Sequence, residues 1–271
     1  TELIDGSIKY DLNCSMGVNL LGHSHPLFIK AHLQAATLDS LMCGNLLPYE
    51  AAKVLTQECI KSVAGSKLAH FWFATSGSFA NDNALKIVWQ KTAPKYKIIA
   101  FDNAFAGRSV ATQNITHNPD YSQGMPKYLE VEHIPFYPKD PIESLEKIWA
   151  KDKDNLSAIM IELIQGEAGF NFATSEYYQS ICKWGKEKGL YIIIDEVQTF
   201  ARTKNLFAFQ MFGLDEYVDV VTVGKVLQSA GTFYTKELSP KPGLIAGTWN
   251  GPLVGITLGI NLLRYLQEGN F

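Results

Sequence analysis

Three short segments carry side chains whose chemical properties complement one another. Ser76-Gly77-Ser78, here called the Ser76 turn, follows an apolar run and precedes a helical pattern. Asp195 and Glu196 end a second apolar run, and Lys225 follows a third. Small residues and hydroxyls at the start of a helix can bind a phosphate, and a buried carboxylate needs a cationic partner. A lysine shielded from water can lose its proton and form an imine with an aldehyde.

Each segment also has a purely structural interpretation. The Ser76 turn could be an ordinary turn, Asp195 or Glu196 could cap a helix or join a structural ion pair, and most lysines are solvated surface residues. Together, however, the segments supply an anchor for a phosphate, a counter-ion for a pyridinium nitrogen and an amine for an aldehyde. Pyridoxal 5′-phosphate needs these three groups. The combination therefore predicts a site for this cofactor.

The elements that position these segments follow from the alternation of short apolar runs with longer amphipathic ones. Runs rich in β-branched and aromatic residues predict strands at residues 70–75, 97–102, 157–163, 190–195 and 218–223. The clearest helices are predicted at residues 79–90, 175–188 and 253–267, the second with Thr174 and Ser175 as N-cap candidates and Gly189 at its end. This pattern predicts an α/β fold with a mostly parallel sheet and helices on both faces, whose ligands bind at the carboxyl ends of the strands.

The composition is that of a globular protein with no sign of a charged partner. The 271 residues, 46% of them hydrophobic, can bury the core of one large domain and part of a second. The formal charge of −3, without a basic block, gives no indication of a nucleic-acid or membrane partner. The four cysteines form no C-x-x-C pair, and His23 and His25 are interpreted as structural, so we expect no metal site. A reduced, cytoplasmic location is the expectation.

Further motifs occur in an order that resembles the class III (ω-amino-acid type) aminotransferases, which depend on pyridoxal phosphate. The resemblance covers almost the whole chain. Its motifs are G-H-S-H-P at 22–26, S-G-S-F-A-N at 76–81, F-A-G-R at 105–108, I-Q-G-E-A-G at 164–169, D-E-V-Q-T at 195–199, V-G-K at 223–225 and G-T-W-N-G at 247–251.

The resemblance implies a role for each matched residue. Lys225 carries the cofactor and Asp195 pairs with its ring nitrogen, and these two are the implied catalytic residues. The implied cofactor-binding residues are Ser76, Gly77, Ser78, Phe105, Glu162, Asp195, Val197, Gln198, Lys225 and Thr248. In the family pattern the aromatic residue at 105 stacks on the ring, Val197 packs under it and Gln198 bonds its phenolic oxygen. Glu167 corresponds to an acid that pairs with a substrate-gating arginine.

The resemblance also implies a domain organisation and an assembly. The fold is expected to be fold type I of the pyridoxal-phosphate-dependent transferases, with a large cofactor-binding domain at residues 46–250. Residues 1–45 are expected to form the N-terminal part of a small domain and its linker. Residues 251–271 are expected to begin a linker helix to a C-terminal domain that is missing from this chain. A homodimer with shared active sites is implied, in which Thr248 reaches the phosphate bound by the partner subunit.

The implied function is a transaminase that moves an amino group to a 2-oxo acid such as 2-oxoglutarate by a ping-pong mechanism. The Thr248-Trp249 pair, and Gln228 three places after Lys225, favour ω-amino donors, as in lysine 6-aminotransferases and 4-aminobutyrate aminotransferases. One alternative is other chemistry on the same cofactor, as in a decarboxylase, racemase or aminomutase. A non-catalytic cofactor-binding homologue is the other, because four residues depart from the family pattern. These departures, which we expect to affect the pocket wall and substrate choice, are Phe79, Ala106, Phe200 and Ala201.

Overall fold

The computed structural model describes residues 1–38, 49–137 and 139–269. The predicted domain boundary between residues 45 and 46 lies outside these residues. The strands are β1 (Leu68–Ala74), β2 (Lys97–Phe101), β3 (Val131–Ile134), β4 (Leu156–Ile161), β5 (Ile164–Gln165), β6 (Asn171–Phe172), β7 (Tyr191–Asp195), β8 (Val220–Val223) and β9 (Ala230–Thr235). The α-helices are α1 (Cys14–Gly17), α2 (Pro26–Ala36), α3 (Glu50–Ser62), α4 (Gly77–Thr92), α5 (Thr112–Ile115), α6 (Pro141–Asp152), α7 (Ser175–Glu187), α8 (Ala208–Met211) and α9 (Leu253–Gln267). Short 3-10 helices cover Pro119–Tyr121, Lys225–Leu227 and Lys236–Leu238.

Seven strands form one mixed sheet in the order β1-β9-β8-β7-β4-β2-β3. The pairs from β8 to β3 are parallel, whereas β9 runs antiparallel to both of its neighbours, β1 and β8. The five predicted strands are present within a few residues of their expected ends, and the prediction of a mostly parallel α/β sheet is confirmed. Strands β3 and β9 of this sheet, and the short separate pair β5 and β6, were not predicted.

Helices cover both faces of this sheet, which explains why its central strands are mostly apolar on both sides. Side chains alternate between the faces along a strand. Ile192 and Ile194 of β7 accordingly belong to one buried cluster, whereas Ile193 belongs to the other. Helix α7 packs closely on the first face, because a Cβ added at Gly185 would lie 2.9 Å from side-chain carbons of Ile159 and Ile192. Residues of α4 contribute to the second cluster.

The helix termini show which local signals fix the ends of the elements. Helix α4 begins two residues before its predicted start, because Ser76 Oγ accepts a hydrogen bond from the Phe79 amide at 3.3 Å and caps the helix. Helix α7 is capped by Thr174, as predicted, and α9 has its predicted bounds. None of the described helices has the length and apolar character needed to cross a membrane.

Candidate active site

A cavity of about 780 Å³ opens where the carboxyl ends of β1, β4, β7 and β8 come together. Its lining includes ten of the eleven residues predicted for the site, namely Ser76, Gly77, Ser78, Phe105, Glu162, Glu167, Asp195, Val197, Gln198 and Lys225. The remaining residue, Thr248, is exposed on a loop of its own chain. Parallel α/β sheets usually bind ligands at the carboxyl ends of their strands, and the cavity lies at that edge of the sheet.

Asp195 is the buried acid of the cavity. Its side chain is 6% exposed, and it accepts hydrogen bonds from Asn81 Nδ2 at 2.7 Å and from the Val197 amide at 2.9 Å. Burial raises the pKa of Asp195 to about 6, although these hydrogen bonds oppose the shift. The carboxylate is therefore fixed in position while its charge is poorly solvated, which favours a ligand that brings a cation.

Glu196 points away from the cavity and has the structural role that sequence alone could not assign. It is fully buried, and its Oε1 accepts a hydrogen bond from the Phe209 amide at 2.8 Å, near the start of α8. Its other oxygen accepts a hydrogen bond from the Thr199 hydroxyl. Of the two adjacent acids, Asp195 thus faces the cavity and Glu196 caps a helix.

Lys225 meets Gln198 at the floor of the cavity. The Lys225 ammonium donates to Gln198 Oε1, and Arg202 Nη1 donates to the Gln198 carbonyl at 2.8 Å. Burial lowers the pKa of Lys225, and the nearby charge of Arg202 lowers it further. The amine is therefore easier to deprotonate than that of a solvated lysine, as imine formation requires.

Two glycines next to the cavity, Gly77 within the Ser76 turn and Gly107 beside it, leave no room for a larger side chain. A Cβ added at Gly77 would lie 2.7 Å from Val197 Cγ1. Gly107 has φ 125°, and a Cβ there would lie 2.3 Å from Ser78 Oγ. The backbone amides at the start of α4 are thus held open to the cavity, where they can bind an anion.

The segment at residues 105–108 is held by its backbone. The Phe105 amide donates to Glu162 Oε1 at 2.8 Å, and the Arg108 amide donates to Ser78 Oγ at 3.3 Å. Burial raises the pKa of Glu162 to about 8, with a further contribution from the charge of Asp195. A Glu162 that stays protonated near neutral pH limits the negative charge of the cavity.

Several residues of the site were not singled out from the sequence. Asn81 lies within α4 and joins the Ala106 carbonyl, Asp195 and Thr222 through hydrogen bonds of 2.7 Å each. Arg108 lines the cavity. Asn81 and Arg108 lie in the motifs at 76–81 and 105–108, and this membership was the one feature of the sequence that pointed to them.

The four departures from the family pattern lie in different surroundings. Ala106 lines the cavity. Phe200 and Ala201 are buried in the core, where Phe200 contacts the ring of Phe207. The expectation that these two residues shape the pocket wall is therefore corrected, because their side chains pack into the core. Phe79 is 56% exposed at the first turn of α4.

The two histidines of the G-H-S-H-P motif have structural contacts. His23 bonds Asp11 at 2.7 Å, and His25 accepts a hydrogen bond from the Leu27 amide as the N-cap of α2. Within the part of the chain that the structure describes, no group of three or more histidine, cysteine or acidic side chains could hold a metal ion.

The sequence is similar to those of known aminotransferases. The sequence profile of the family described as Aminotransferase class-III matches residues 1–271. An acetylornithine aminotransferase from Caldanaerobacter subterraneus subsp. tengcongensis is 32% identical over 280 residues, which cover 98% of this chain and 68% of the relative. An acetylornithine/succinyldiaminopimelate aminotransferase from Yersinia pestis is 32% identical over 230 residues, which cover 82% of this chain and 54% of the relative. The chain therefore spans between about half and two thirds of the length of these relatives.

Solved structures share the fold. An ornithine aminotransferase from Toxoplasma gondii superposes with a TM-score of 0.86 at 21% identity, over 98% of this chain and 65% of that one. An amine transaminase from an uncultivated Pseudomonas species, described as bound to pyridoxal phosphate, gives a TM-score of 0.88 at 16% identity over 98% of this chain and 68% of that one. At these identities the likeness concerns the fold, which is fold type I of the pyridoxal-phosphate-dependent transferases.

Proposed function

Because the chain belongs to the class III aminotransferases, we propose that the protein is a pyridoxal-phosphate-dependent transaminase. It moves an amino group, in two successive half-reactions of a ping-pong mechanism, from an ω-amino donor to a 2-oxo acid such as 2-oxoglutarate. The observation that carries this proposal is that a buried acid, Asp195, and a lysine of lowered pKa, Lys225, face one cavity beside the Ser76 turn.

The residues of the cavity fit pyridoxal phosphate. The glycine at 77, where a Cβ would meet Val197 at 2.7 Å, leaves the start of α4 open to a phosphate. Asp195 would hold the proton of the ring nitrogen, Phe105 and Val197 would enclose the ring, and Gln198 would bond the phenolic oxygen. When bound, the cofactor supplies an aldehyde that condenses with an amine and a ring that accepts the electron pair of an adjacent carbon.

Lys225 is the proton carrier of the proposed reaction. With the cofactor bound, the neutral Lys225 amine would take a proton from the carbon that bears the donor amino group and would later release it to the cofactor. Burial, which lowers the pKa of Lys225, favours the neutral form that this role needs. Gln198, bonded to Lys225, orients the amine within the cavity.

Arg108 is the residue that we expect to bind the carboxylate of a substrate. It lines the cavity, and among the described residues its guanidinium contacts the ring of Tyr121 and makes no salt bridge. A free guanidinium binds a carboxylate in a bidentate manner. Relatives named acetylornithine aminotransferases agree with a donor that has an ω-amino group and a carboxylate.

We further propose that the protein is a homodimer in which Thr248 completes the phosphate site of the partner. We also propose a cytoplasmic location. Thr248 and Trp249 are exposed on one loop, with Trp249 64% exposed, and the exposed Phe79 lies beside the Ser76 turn. A two-fold axis would complete both sites with a single surface. The free cysteines Cys14, Cys59 and Cys182 support a reducing compartment.

Borohydride reduction of the holo-protein, followed by peptide mapping, tests the assignment of Lys225. The pyridoxyl label should lie on Lys225 and be absent from Lys225→Ala, whereas Lys236→Ala, at an exposed lysine, should still carry it. A label on another lysine contradicts the proposal. An amino-donor screen with 2-oxoglutarate then separates transamination from decarboxylation, racemisation or an aminomutase reaction, because transamination alone forms glutamate.

Subunit mixing at limiting cofactor tests the shared site. Lys225→Ala is expected to be inactive and Thr248→Val to be largely free of cofactor, since losing a hydroxyl bond to a charged phosphate weakens binding by about tenfold to a hundredfold. A mixed dimer of the two variants contains one site with intact lysine and intact partner threonine, so activity should return. When the Thr248→Val chain also carries a lesion at Ser78, no activity should return. A monomer with cofactor fully bound contradicts the shared site.

A further inference from the structure

Tyr121 lies behind the cavity wall and contacts three residues that line it. The Arg108 guanidinium carbon lies 4.0 Å from the centroid of the Tyr121 ring. The ring meets Phe105 edge-on, with 5.8 Å between centroids, and the Tyr121 hydroxyl donates to Glu167 Oε2 at 3.3 Å. Tyr121 itself borders a second cavity, of about 250 Å³, which shares Phe105 and Glu167 with the first. One residue outside the active-site cavity thus touches an aromatic, a cationic and an acidic residue inside it.

The backbone around Arg108 is fixed independently of Tyr121. The Arg108 amide donates to Ser78 Oγ at 3.3 Å, and the Gly107 carbonyl accepts from Thr116 Oγ1 at 2.9 Å. The hydroxyl of Ser109 donates to Asp82 at 2.6 Å. The guanidinium, in contrast, rests on the Tyr121 ring without an acidic partner among the described residues. The direction of the Arg108 side chain therefore depends on that ring.

We propose that Tyr121 is a positioning residue for the carboxylate of the substrate, an inference that rests on the proposed function. Its ring holds the Arg108 guanidinium toward the cavity, and its hydroxyl holds Glu167 away from Arg108. A cation–π contact restrains a guanidinium without neutralising its charge, so the N–H groups stay free for a carboxylate. A Glu167 without its hydrogen bond would compete with the substrate for Arg108, because both residues line the same cavity.

Binding of glutarate to the holo-protein, measured by calorimetry, tests this role without relying on turnover. Glutarate is an unreactive dicarboxylate, and glutaramide serves as its neutral counterpart. Tyr121→Leu removes the ring and should weaken glutarate binding by about threefold to thirtyfold, with little change for glutaramide. The matched control is Tyr128→Leu, because Tyr128 is 68% exposed on the same connection, and it should leave both affinities unchanged.

Tyr121→Phe separates the two contacts. It keeps the ring under Arg108 but frees Glu167, so it should weaken glutarate binding less than Tyr121→Leu. Adding Glu167→Gln to Tyr121→Phe should raise glutarate affinity by a larger factor than Glu167→Gln does in the wild type, because only a freed Glu167 competes for Arg108. This pair also provides the test if Tyr121→Leu fails to fold.

Combining Tyr121→Leu with Arg108→Met shows whether the effect passes through Arg108. Once Arg108 is replaced, Tyr121→Leu should have no further effect on glutarate binding. Equal weakening in both backgrounds, or unchanged glutarate affinity in all Tyr121 variants, overturns the proposal. Cofactor absorbance distinguishes the two levels of inference. A wild-type protein that does not bind pyridoxal phosphate at Lys225 contradicts the proposed function, whereas one that binds it but is indifferent to Tyr121 contradicts this inference alone.

Discussion

Replacing Asp195 by asparagine should flatten the pH dependence of stability in the cofactor-free protein and impair the reaction. Asparagine has nearly the shape of aspartate and can still accept from the Val197 amide, which Asp195 bonds at 2.9 Å, but its amide group replaces the oxygen that accepts from Asn81. It removes a negative charge that is buried together with Glu162. The substitution therefore tests whether the carboxylate is held in the cavity against its own solvation.

The pKa of Asp195 sets the expected magnitude and its sign. Burial raises this pKa from 3.8 to about 6, so between these values the folded state binds more protons than the unfolded state. The free energy of unfolding of the cofactor-free protein then rises as the pH falls through this window, and that gain is lost as the pH rises through about 6. At pH 5, one unit below the folded pKa, the gain from Asp195 relative to pH 8 is about 1.4 kcal/mol. Asp195→Asn should remove this contribution.

Chemical denaturation of the cofactor-free proteins at pH 5 and pH 8 measures the difference. When the pH is raised from 5 to 8, the free energy of unfolding of the wild type should fall by about 1 to 2 kcal/mol more than that of Asp195→Asn. The holo-protein should show the functional cost, a fall of kcat by orders of magnitude while the cofactor is still bound. An equal pH dependence in both proteins would refute the reasoning, because it would mean that burial does not raise the pKa of Asp195.

Glu196→Gln is the matched control for this experiment. Glu196 is the next residue, is also buried, and has its pKa raised to about 7 by burial. Its substitution should also flatten the pH dependence of stability. Turnover should be largely retained, because Glu196 faces α8 and not the cavity. A loss of kcat equal to that of Asp195→Asn would mean that the two acids had been assigned the wrong roles.

The remaining predictions concern the backbone of the site and the core. Gly107→Ala should destabilise the protein by about 1 to 3 kcal/mol and weaken retention of pyridoxal phosphate, because φ is 125° and the new Cβ would meet Ser78 Oγ at 2.3 Å; thermal unfolding and cofactor absorbance measure the two effects. Tyr178→Phe should cost about 1 to 3 kcal/mol in denaturant without altering cofactor retention, because the Tyr178 hydroxyl donates to the Leu163 carbonyl and accepts from the Ala173 amide at 2.8 Å, all in the core.

The ends of the parallel strands were the most predictable part of the protein. A strand buried on both faces is mostly apolar, so a charged residue at its end or just after it marks the edge of the sheet. This rule predicted that Asp195 and Lys225 lie at one edge, where the structure brings both into one cavity. Strand β9 was not predicted, although four of its six residues, at positions 232–235, are strand formers; only Ala230 and Gly231 at its start have little strand character.

Contacts between distant segments limited the prediction of the site. Asn81 lies within a helix, where an amide usually faces solvent, and its partners Asp195 and Thr222 are more than a hundred residues away in sequence. Tyr121 lies in a 3-10 turn with no motif around it. Its role depends on the packing of its ring against Arg108, and no pattern in the sequence reports such packing.

The position of β9 has a consequence for the order in which the chain folds. In the sheet, β9 lies between β1 and β8, and Ala74 pairs with Ala230. Strand β1 is synthesised long before β9, yet it gains its place in the sheet only after the ribosome has released residues 230–235. Closing so long a loop is slow, so β1 should wait as an unpaired apolar strand that is exposed to aggregation. A nascent chain that stalls before β9 should therefore contain both the Ser76 turn and Lys225 without bringing them together, and we expect it to be a target for chaperones.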